Sequence, residues 1–522
     1  MKYVVIILFG ILSPLVESLK SAVVVGSGPS GLASALVLAK RHGYQVTVLE
    51  ATEREDILKY DPRKGYPFLI GPRGQKFTSL FPEIQTALQE NGVGVEGSTP
   101  LISIPADPNE LVDIKPKTIT MFKPIGQRYW IRRHEFSKLL LDYCSQEKNI
   151  QLVNGVYCKS VGSTSDSEIK VLVDKASGVK EEYKCSLLIA ADGMRSSVRE
   201  SLSKGPSPLP GWKNNKPSGF KAKKWNSPAS GLKFKTLNMN PDATIPIGDG
   251  SVYKMPFNTE TFHAIRSVND SPTTAMSLGI LPSRESSTRA LNVIRIPSHE
   301  VWQLRDGKAL REWFSKAFPR FDFSSQTPLI EQTEFDRFAS EDALTLPPCQ
   351  YSPQLHTSSP TGDAAVIILG DAAHTFPPDL GEGVNSGLED VVALDKCLGN
   401  SKSLGEMATK YSKERIPETR ALVKLARVGA PFQYNQAGGM LTVKKLFWSI
   451  NFFTRLLLNK ITFGITPPGI PLLISERPGL KYTSILKRAD FLTASLWAFA
   501  VTVAIRTTGL LTKLSALFAP SL

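Results

Sequence analysis

The stretch "SAVVVGSGPSGLASALVLAKRHGYQVTVLEA", from Ser21 to Ala51, constrains the fold more than any other part of the chain. Ala22–Val25 is a continuous apolar run, as in a strand covered on both faces. Gly26-x-Gly28-x-x-Gly31 follows at once. Leu32–Lys40 then reads as a helix with small residues on one face, and Gln45–Leu49 as a second strand ending in Glu50. Strand, glycine-rich turn, helix and strand together make a dinucleotide-binding fingerprint in its required context. Gly26 permits the tight turn, Gly28 lets the backbone approach a pyrophosphate, and Gly31 lets the helix lie close to the strand. The helix N-terminus offers N–H groups and positive potential to the phosphates. Glu50 is placed to accept hydrogen bonds from a ribose. NAD and FAD proteins share this fingerprint, so it leaves the dinucleotide open.

A chain of 522 residues is long enough for more than one domain. Its five cysteines form no CxxC pair and no disulfide framework, and read as small buried hydrophobes. The six histidines show no metal-ligand spacing, so no metal site is expected. The N-terminus, "MKYVVIILFGILSPLVESLKS", has an apolar run from Tyr3 to Leu12 and resembles a secretory signal peptide cut after Ser18. An uncleaved anchor is the alternative for residues 1–18. A cleaved signal implies a secretory or endomembrane route.

Two later motifs narrow the ligand. In "CSLLIAADGMRSSVRESL", Leu187–Ala191 is a buried-strand run ended by Asp192-Gly193, and Ser196 caps a helix start that contains Arg199. In "GDAAHTFPPDLGEGVNSGLED", Asp371 follows the apolar run Ala364–Leu369. An acid at the carboxyl end of such a strand points into the crevice where α/β sheets bind ligands, and can accept hydrogen bonds from a sugar-like chain. Pro377-Pro378 stiffens the next turn, and Gly381 and Gly383 let the backbone approach a flat ring. The helix that starts at Asn385 can stabilise negative charge on that ring. A flavin across the loop accounts for all of this turn chemistry. His374 reads equally as a site residue and as packing.

These three motifs, with "GPRGQKF" at Gly71–Phe77 and "IRRHEFSKLLLD" at Ile131–Asp142, resemble the single-component FAD-dependent aromatic monooxygenases. The likeness runs from about Ser21 to about Lys424 and is nearest to the kynurenine 3-monooxygenase branch. It implies an α/β fold in which a discontinuous, Rossmann-like FAD-binding domain carries an inserted antiparallel β-sheet substrate domain and a helical C-terminal region. On this chain the FAD parts fall at 19–215 and 355–400, the insert at 216–354 and the helical region at 401–522. The cofactor is then FAD, with NADPH as co-substrate and O2 as oxidant. A flavin C4a-hydroperoxide would pass one oxygen atom to a small-molecule substrate. Gly26, Gly28, Gly31, Glu50, Arg133, Asp192 and Asp371 would hold FAD. Pro377, Gly381, Gly383 and Asn385 would flank the reacting face. The alternatives for this chain are a flavin-dependent reductase or epoxidase of an isoprenoid or lipid substrate and, outside enzymes, a flavin-fold binding protein that has lost the chemistry.

One part of the branch pattern is missing. There an arginine and a tyrosine hold the substrate carboxylate, with a second tyrosine on the helix after the signature loop. Here lysines such as Lys117 stand where the arginine would be, and Val428–Ala430 has no tyrosine. The expected substrate is therefore aromatic or olefinic and more apolar than kynurenine. In the insert, "LKFKTLNM", "FHAIRSV", "TAMSLGIL" and "ALNVIRI" read as strands and Lys308–Phe318 as a helix. Ser203–Ser227 reads as a surface loop or a domain boundary. From Leu441 onward ten Lys/Arg face two acids, a net of +8 within a chain total of +14. "LFWSINFFTRLLL" and Phe491–Ile505 lie among these bases. The latter run is too short to span a bilayer but suits contact with an anionic membrane surface. No nucleic-acid partner is expected.

Overall fold

In the computed structural model, residues 20–508 are described, apart from 59–60, 62–64, 119–124, 166, 206, 257–259, 285–288, 435–439, 471–473 and 475–476. The leader expected at residues 1–18 lies outside the described residues.

The apolar runs read from the sequence pair into one six-stranded sheet. Its order is His356–Ser358, Ala365–Ile368, Leu187–Ala190, Ser21–Val25, Gln45–Leu49 and Ile150–Val153. All neighbours are parallel except the edge pair His356–Ser358 with Ala365–Ile368. Three strands distant in sequence stand in register: Val24 opposes Ile189, and Ile189 opposes Ile367. Leu187–Ala190 and Ala365–Ile368 are buried throughout, as expected of strands covered on both faces. Parallel strands place their carboxyl ends on one edge, so Gly26, Asp192 and Asp371 emerge on the same side.

The helix after Gly28 runs Pro29–Leu36 and ends in a π-turn, Val37–Arg41. There Arg41 and His42 meet Asp395 Oδ1 at 2.8 and 2.9 Å. Asp395 belongs to the helix Gly383–Gly399, so the first and the signature helices are tied at their far ends.

A second six-stranded sheet lies in the order Leu344–Thr345, Lys233–Met239, Arg289–Arg295, Ser277–Ile280, Phe262–Arg266 and Leu101–Pro105. It is antiparallel except for its last pair, where Leu101–Pro105 runs parallel to Phe262–Arg266. This edge strand comes from far upstream, so the sheet is not built from the inserted segment alone. The buried Arg320 fixes it there: its guanidinium donates to the carbonyls of Pro105, Pro246, Asp107 and Glu110. The helix Gly307–Ala317 packs beneath the sheet, capped by Asp306, whose carboxylate accepts from the Ala309 N–H at 2.8 Å. Phe314, Phe318 and Phe335 are fully buried there. Truncating any one to alanine would cost about 3–5 kcal/mol.

Ser203–Ser227 departs from the expected surface loop. Leu209, Trp212 and Phe220 are buried, Pro217–Phe220 is a helical turn, and Lys223–Trp225 pairs with Cys349–Tyr351. Three apolar anchors outweigh the Ser/Pro/Lys composition that suggested exposure. All five cysteines are buried and unpaired, and burial pushes their thiols above the ordinary value.

Three long helices complete the described chain: Leu404–Val428, Met440–Ile461 and Tyr482–Thr508. The last is longer than the apolar run Phe491–Ile505, because Tyr482, Ile485 and Ala489 begin it inside the protein. Tyr482 and Ile485 pack with Leu422, Leu425 and Tyr351. Beyond Leu492 the helix is exposed, and Tyr482–Arg506 is long and apolar enough to cross a membrane by length and composition.

Candidate functional site

Two of the three fingerprint glycines are dictated by collision and one by open space. A Cβ on Gly26 (φ +102°) would strike the Ala191 carbonyl, and one on Gly31 would strike the Gly26 carbonyl. A Cβ on Gly28 would meet nothing within 4 Å. The middle of the turn therefore faces empty space, as a pyrophosphate cradle requires. Glu50 stands behind the turn. Its Oε2 accepts from the Ser27 N–H and hydroxyl, both at 2.7 Å, and its Oε1 from the Thr52 N–H at 2.9 Å.

The other two motifs close on this turn. Gly370 has φ +58°, and a Cβ there would lie 2.7 Å from Ser30 Oγ; at Gly387 it would lie 2.5 Å from the same atom. Strand end, signature helix and first helix thus converge on Ser30. Asp371 follows Gly370 with its side chain exposed, yet the surroundings raise its pKa by desolvation, opposed by His374 and Arg133. Arg133 opens the helix Arg133–Gln146 and stacks over Tyr66, 5.8 Å from the ring centroid. Asp192 Oδ2 accepts from the Ser197 hydroxyl and the Val198 N–H at 2.9 and 3.1 Å. Its Oδ1 is buried and, among the described residues, lacks a hydrogen-bond partner. Arg199 locks the loops together, donating to the carbonyls of Ala372 and Met194 while its own N–H is capped by Ser196 Oγ. An open glycine turn, an orphaned carboxylate oxygen and an exposed carboxyl at the strand edge fit a ribose, pyrophosphate and polyol chain.

Asn385 takes a different role from the one expected. Its Oδ1 accepts from the Gly71 N–H at 2.9 Å, and its Nδ2 donates to the carbonyls of Leu69 and Gly381 at 2.9 and 3.1 Å. Both ends of the amide are bound to backbone, so its side chain clamps the turn before the helix Pro72–Thr78 rather than facing a ligand. Gly74 makes the crossing possible, since a Cβ there would lie 2.6 Å from Asn385 Oδ1. Gly381 (φ +65°) and Gly383 are exposed, and Pro377 is buried at the base of their turn.

Under the loop lies an ionic lattice that the sequence patterns did not reveal. Asp390, fully buried, accepts from the Gly370 N–H at 2.9 Å and from Arg415 Nε at 2.7 Å, and lies 2.8 Å from His374 Nε2. Burial alone would raise its pKa, but Arg415 and His374 more than offset that and hold it below the ordinary range. Glu389 joins Arg415, Arg73 and Lys76 at 3.2, 3.5 and 3.1 Å. Glu382 accepts from the Tyr482 hydroxyl at 2.7 Å and lies 3.9 Å from Arg73. Burial pushes the Glu382 carboxyl up to about 7, against the pull of Arg73 and Tyr482. His374 is therefore packing in kind, a core member of this lattice.

An FAD binding domain family model matches residues 109–244 and 356–426, and an NAD(P)-binding Rossmann-like domain model matches 24–73. Kynurenine 3-monooxygenase of Drosophila willistoni is 25% identical over 419 residues, covering 78% of this chain and 78% of the relative. That of Salinispora arenicola is 25% identical, with 77% and 78% covered. The chain is an FAD-dependent monooxygenase. FAD is its cofactor and NADPH its co-substrate. Two solved structures share its fold. A probable FAD-dependent monooxygenase from Pseudomonas aeruginosa, pqsL, aligns with TM-score 0.51 at 18% identity, over 80% of this chain and 97% of that one. HpxO from Klebsiella pneumoniae, complexed with FAD and uric acid, aligns with TM-score 0.51 at 16% identity, over 82% and 92%.

In this monooxygenase the part of the insert beside Tyr66 is largely apolar. Phe234, Leu232 and Leu346 form a small cluster against which Tyr66, Ile294 and Tyr434 pack. Tyr66 lies under the Arg133 guanidinium and also meets the Phe234 ring edge-on at 5.8 Å, so the cluster bridges the Arg133 side and the second sheet. Lys117 does not replace a carboxylate-binding arginine, because it is exposed and pairs outward with Asp113 at 3.1 Å. Tyr434, missed in the sequence, stands just past the helix end at Val428. Its hydroxyl accepts from Gln433 Nε2 at 3.0 Å, close to the buried Asp379, whose carboxyl desolvation pushes up to about 7. A tyrosine six residues beyond a helix end carries no periodic signal that would reveal it.

Proposed function

We propose that the enzyme inserts one oxygen atom of O2 into an aromatic or olefinic bond of an apolar small molecule. Bound FAD, reduced by NADPH, supplies the electrons that activate O2. The protein's share is to bind, orient and exclude water. Asp371 accepts hydrogen bonds from the polyol chain, Arg133 offsets phosphate charge, and Gly28 admits the pyrophosphate. Asp192 takes a further hydroxyl or amide on its free Oδ1. Pro377, Gly381 and Gly383 shape the wall beside the flavin ring, and Asn385 is the positioning residue that holds this wall to Leu69 and Gly71. The N-terminal N–H groups of the helix Gly383–Gly399 stabilise negative charge on the ring. Phe234, Leu232, Leu346 and Tyr434 hold the substrate and keep it dry. On this reading 19–215 and 355–400 hold the cofactor, 216–354 covers the substrate, and 401–522 braces the loop and meets a membrane surface.

The observation that carries the proposal is Asp371, an exposed carboxyl at the shared carboxyl edge of three parallel strands. The test is a flavin titration with oxygen electrode measurements. Wild-type protein should show flavin absorbance and NADPH-dependent O2 uptake that rises with an apolar aromatic or isoprenoid substrate. Asp371→Ala should weaken FAD binding by about 1.5–3 kcal/mol. Full FAD retention in that variant, or no O2 uptake by the flavin-loaded wild type, overturns the assignment.

A further inference from the structure

The helix Leu404–Val428 turns Arg415 toward the flavin loop. Its Arg420, Lys424 and Arg427, spaced four and three apart, share another face. That face forms one wall of a cavity of about 670 Å³. Lys223 and Trp225 form a second wall with Tyr351, and Thr483, Leu486 and Lys487 of the last helix form the third. Five bases therefore surround one space. Lys424 is paired with Asp490 at 2.9 Å. Among the described residues Lys223, Arg420, Arg427 and Lys487 have no acidic partner within ion-pair distance, and Arg427 Nε is buried without a hydrogen bond. The nearby Glu418 is committed to the Thr483 hydroxyl and N–H.

Between the bases the wall is apolar and aromatic. Trp225 and Tyr351 are stacked at 5.6 Å, and the Arg427 guanidinium lies over Trp225 at 5.3 Å. Ile416, Ala421 and Leu486 complete it. Concentrated positive charge without built-in counter-ions calls for an anion. The apolar floor calls for hydrocarbon on that same anion, since free phosphate would leave it wet and a nucleotide would find few groups for its bases and sugars. The last helix leads out of this cavity, and beyond it Phe491, Trp497 and Phe499 are exposed.

We propose that this cavity binds the phosphate of an anionic phospholipid, with the first carbons of its acyl chains against Trp225, Tyr351 and Leu486. The proposal rests on the membrane reading of the tail only for how the lipid arrives. The test separates the two. Full-length, flavin-loaded protein is titrated calorimetrically with monomeric dioctanoyl phosphatidic acid, and separately with inorganic phosphate. One saturable lipid site per chain is expected. The Arg420→Gln/Arg427→Gln variant should bind the lipid about tenfold more weakly or worse. Arg420→Gln alone, at an exposed position, should show part of that loss, and unchanged flavin content certifies folding. Lys444→Gln/Lys445→Gln, on tail bases outside the cavity, should bind like the wild type. No saturable site, wild-type affinity in the double variant, or displacement of lipid by equal concentrations of phosphate overturns the proposal. Sedimentation of the Arg420→Gln/Arg427→Gln variant with anionic phosphatidylserine vesicles reports on the tail with the cavity disabled. Its failure with short-chain binding by the wild type intact would discard the membrane reading and leave the cavity assignment standing.

Discussion

Asp390→Asn should unsettle the cofactor loop far more than its single-atom change suggests. Three donors converge on the wild-type carboxylate: the Gly370 N–H and His374 on Oδ2, and Arg415 Nε on Oδ1. An asparagine offers one acceptor oxygen and one NH2. With the oxygen toward Arg415, the NH2 opposes the Gly370 N–H; with the amide flipped, it opposes Arg415. His374 can adapt by moving its proton to Nδ1, which has no hydrogen-bond partner among the described residues, but the other two donors cannot. Losing one buried donor costs about 1–3 kcal/mol. Arg415 also loses its nearer counter-charge and keeps only Glu389 at 3.2 Å. Breaking a buried pair costs about 3–5 kcal/mol, and Glu389 holds the total near the lower end. The assay is urea denaturation at neutral pH with flavin content read in parallel. Flavin affinity should fall too, because the lost bond fixes Gly370 beside Asp371. The folded pKa of Asp390 is depressed, so its stabilisation is present above the ordinary carboxylate range and lost as pH falls through the folded value. The gap between wild type and variant should therefore close in acid. A loss under about 1 kcal/mol with full flavin retention would refute this account.

Glu382→Gln tests the opposite sign. The folded pKa of about 7 lies above the ordinary 4.5, so the folded state holds the extra proton and wild-type stability falls as pH rises between those values. The variant should lose about 3 kcal/mol of that fall, and parallel stability–pH curves would show that Glu382 does not titrate there. Kynurenine should be a poor, weakly coupled substrate, because Lys117 points outward to Asp113; efficient 3-hydroxylation would show that another base holds its carboxylate. Deleting residues 494–522 should release most of the protein from vesicles. In the intact protein high salt should weaken binding without abolishing it, since screening reduces attraction to Lys444 and Lys445 but not burial of Trp497 and Phe499; complete release by salt alone would rule out the apolar contribution.

The nucleotide turn was legible in the sequence because its glycines answer to collisions within a few residues or across one strand pair, at Ala191 and Gly26. The strands of the first sheet were legible for a similar reason, as continuous apolar runs need both faces covered. Charge partnerships were not legible. Asp390 meets Arg415 from another helix, 25 residues on, and Glu382 meets Tyr482 across 100 residues. No local pattern encodes such distances. The hydrogen bonds of Asn385 were not legible either, because they depend on where Leu69 and Gly71 arrive from a distant part of the chain. The parallel edge strand Leu101–Pro105 escaped notice because its short alternation says nothing about which sheet it joins.

The rooting of the last helix sets where this chain can be shortened. Arg73 donates to the Leu480 carbonyl at 2.5 Å and lies over the Tyr482 ring at 4.2 Å, while the Tyr482 hydroxyl caps Glu382. Ala489 and Thr493 in turn receive Arg455 from the helix Met440–Ile461. A version trimmed ahead of Met440 would remove the exposed apolar surface of the last helix and, with it, the lid over Arg73 and the hydrogen-bond partner of Glu382. The cut that spares the active site falls after Thr493, where the helix leaves the protein and its side chains answer only to what surrounds it.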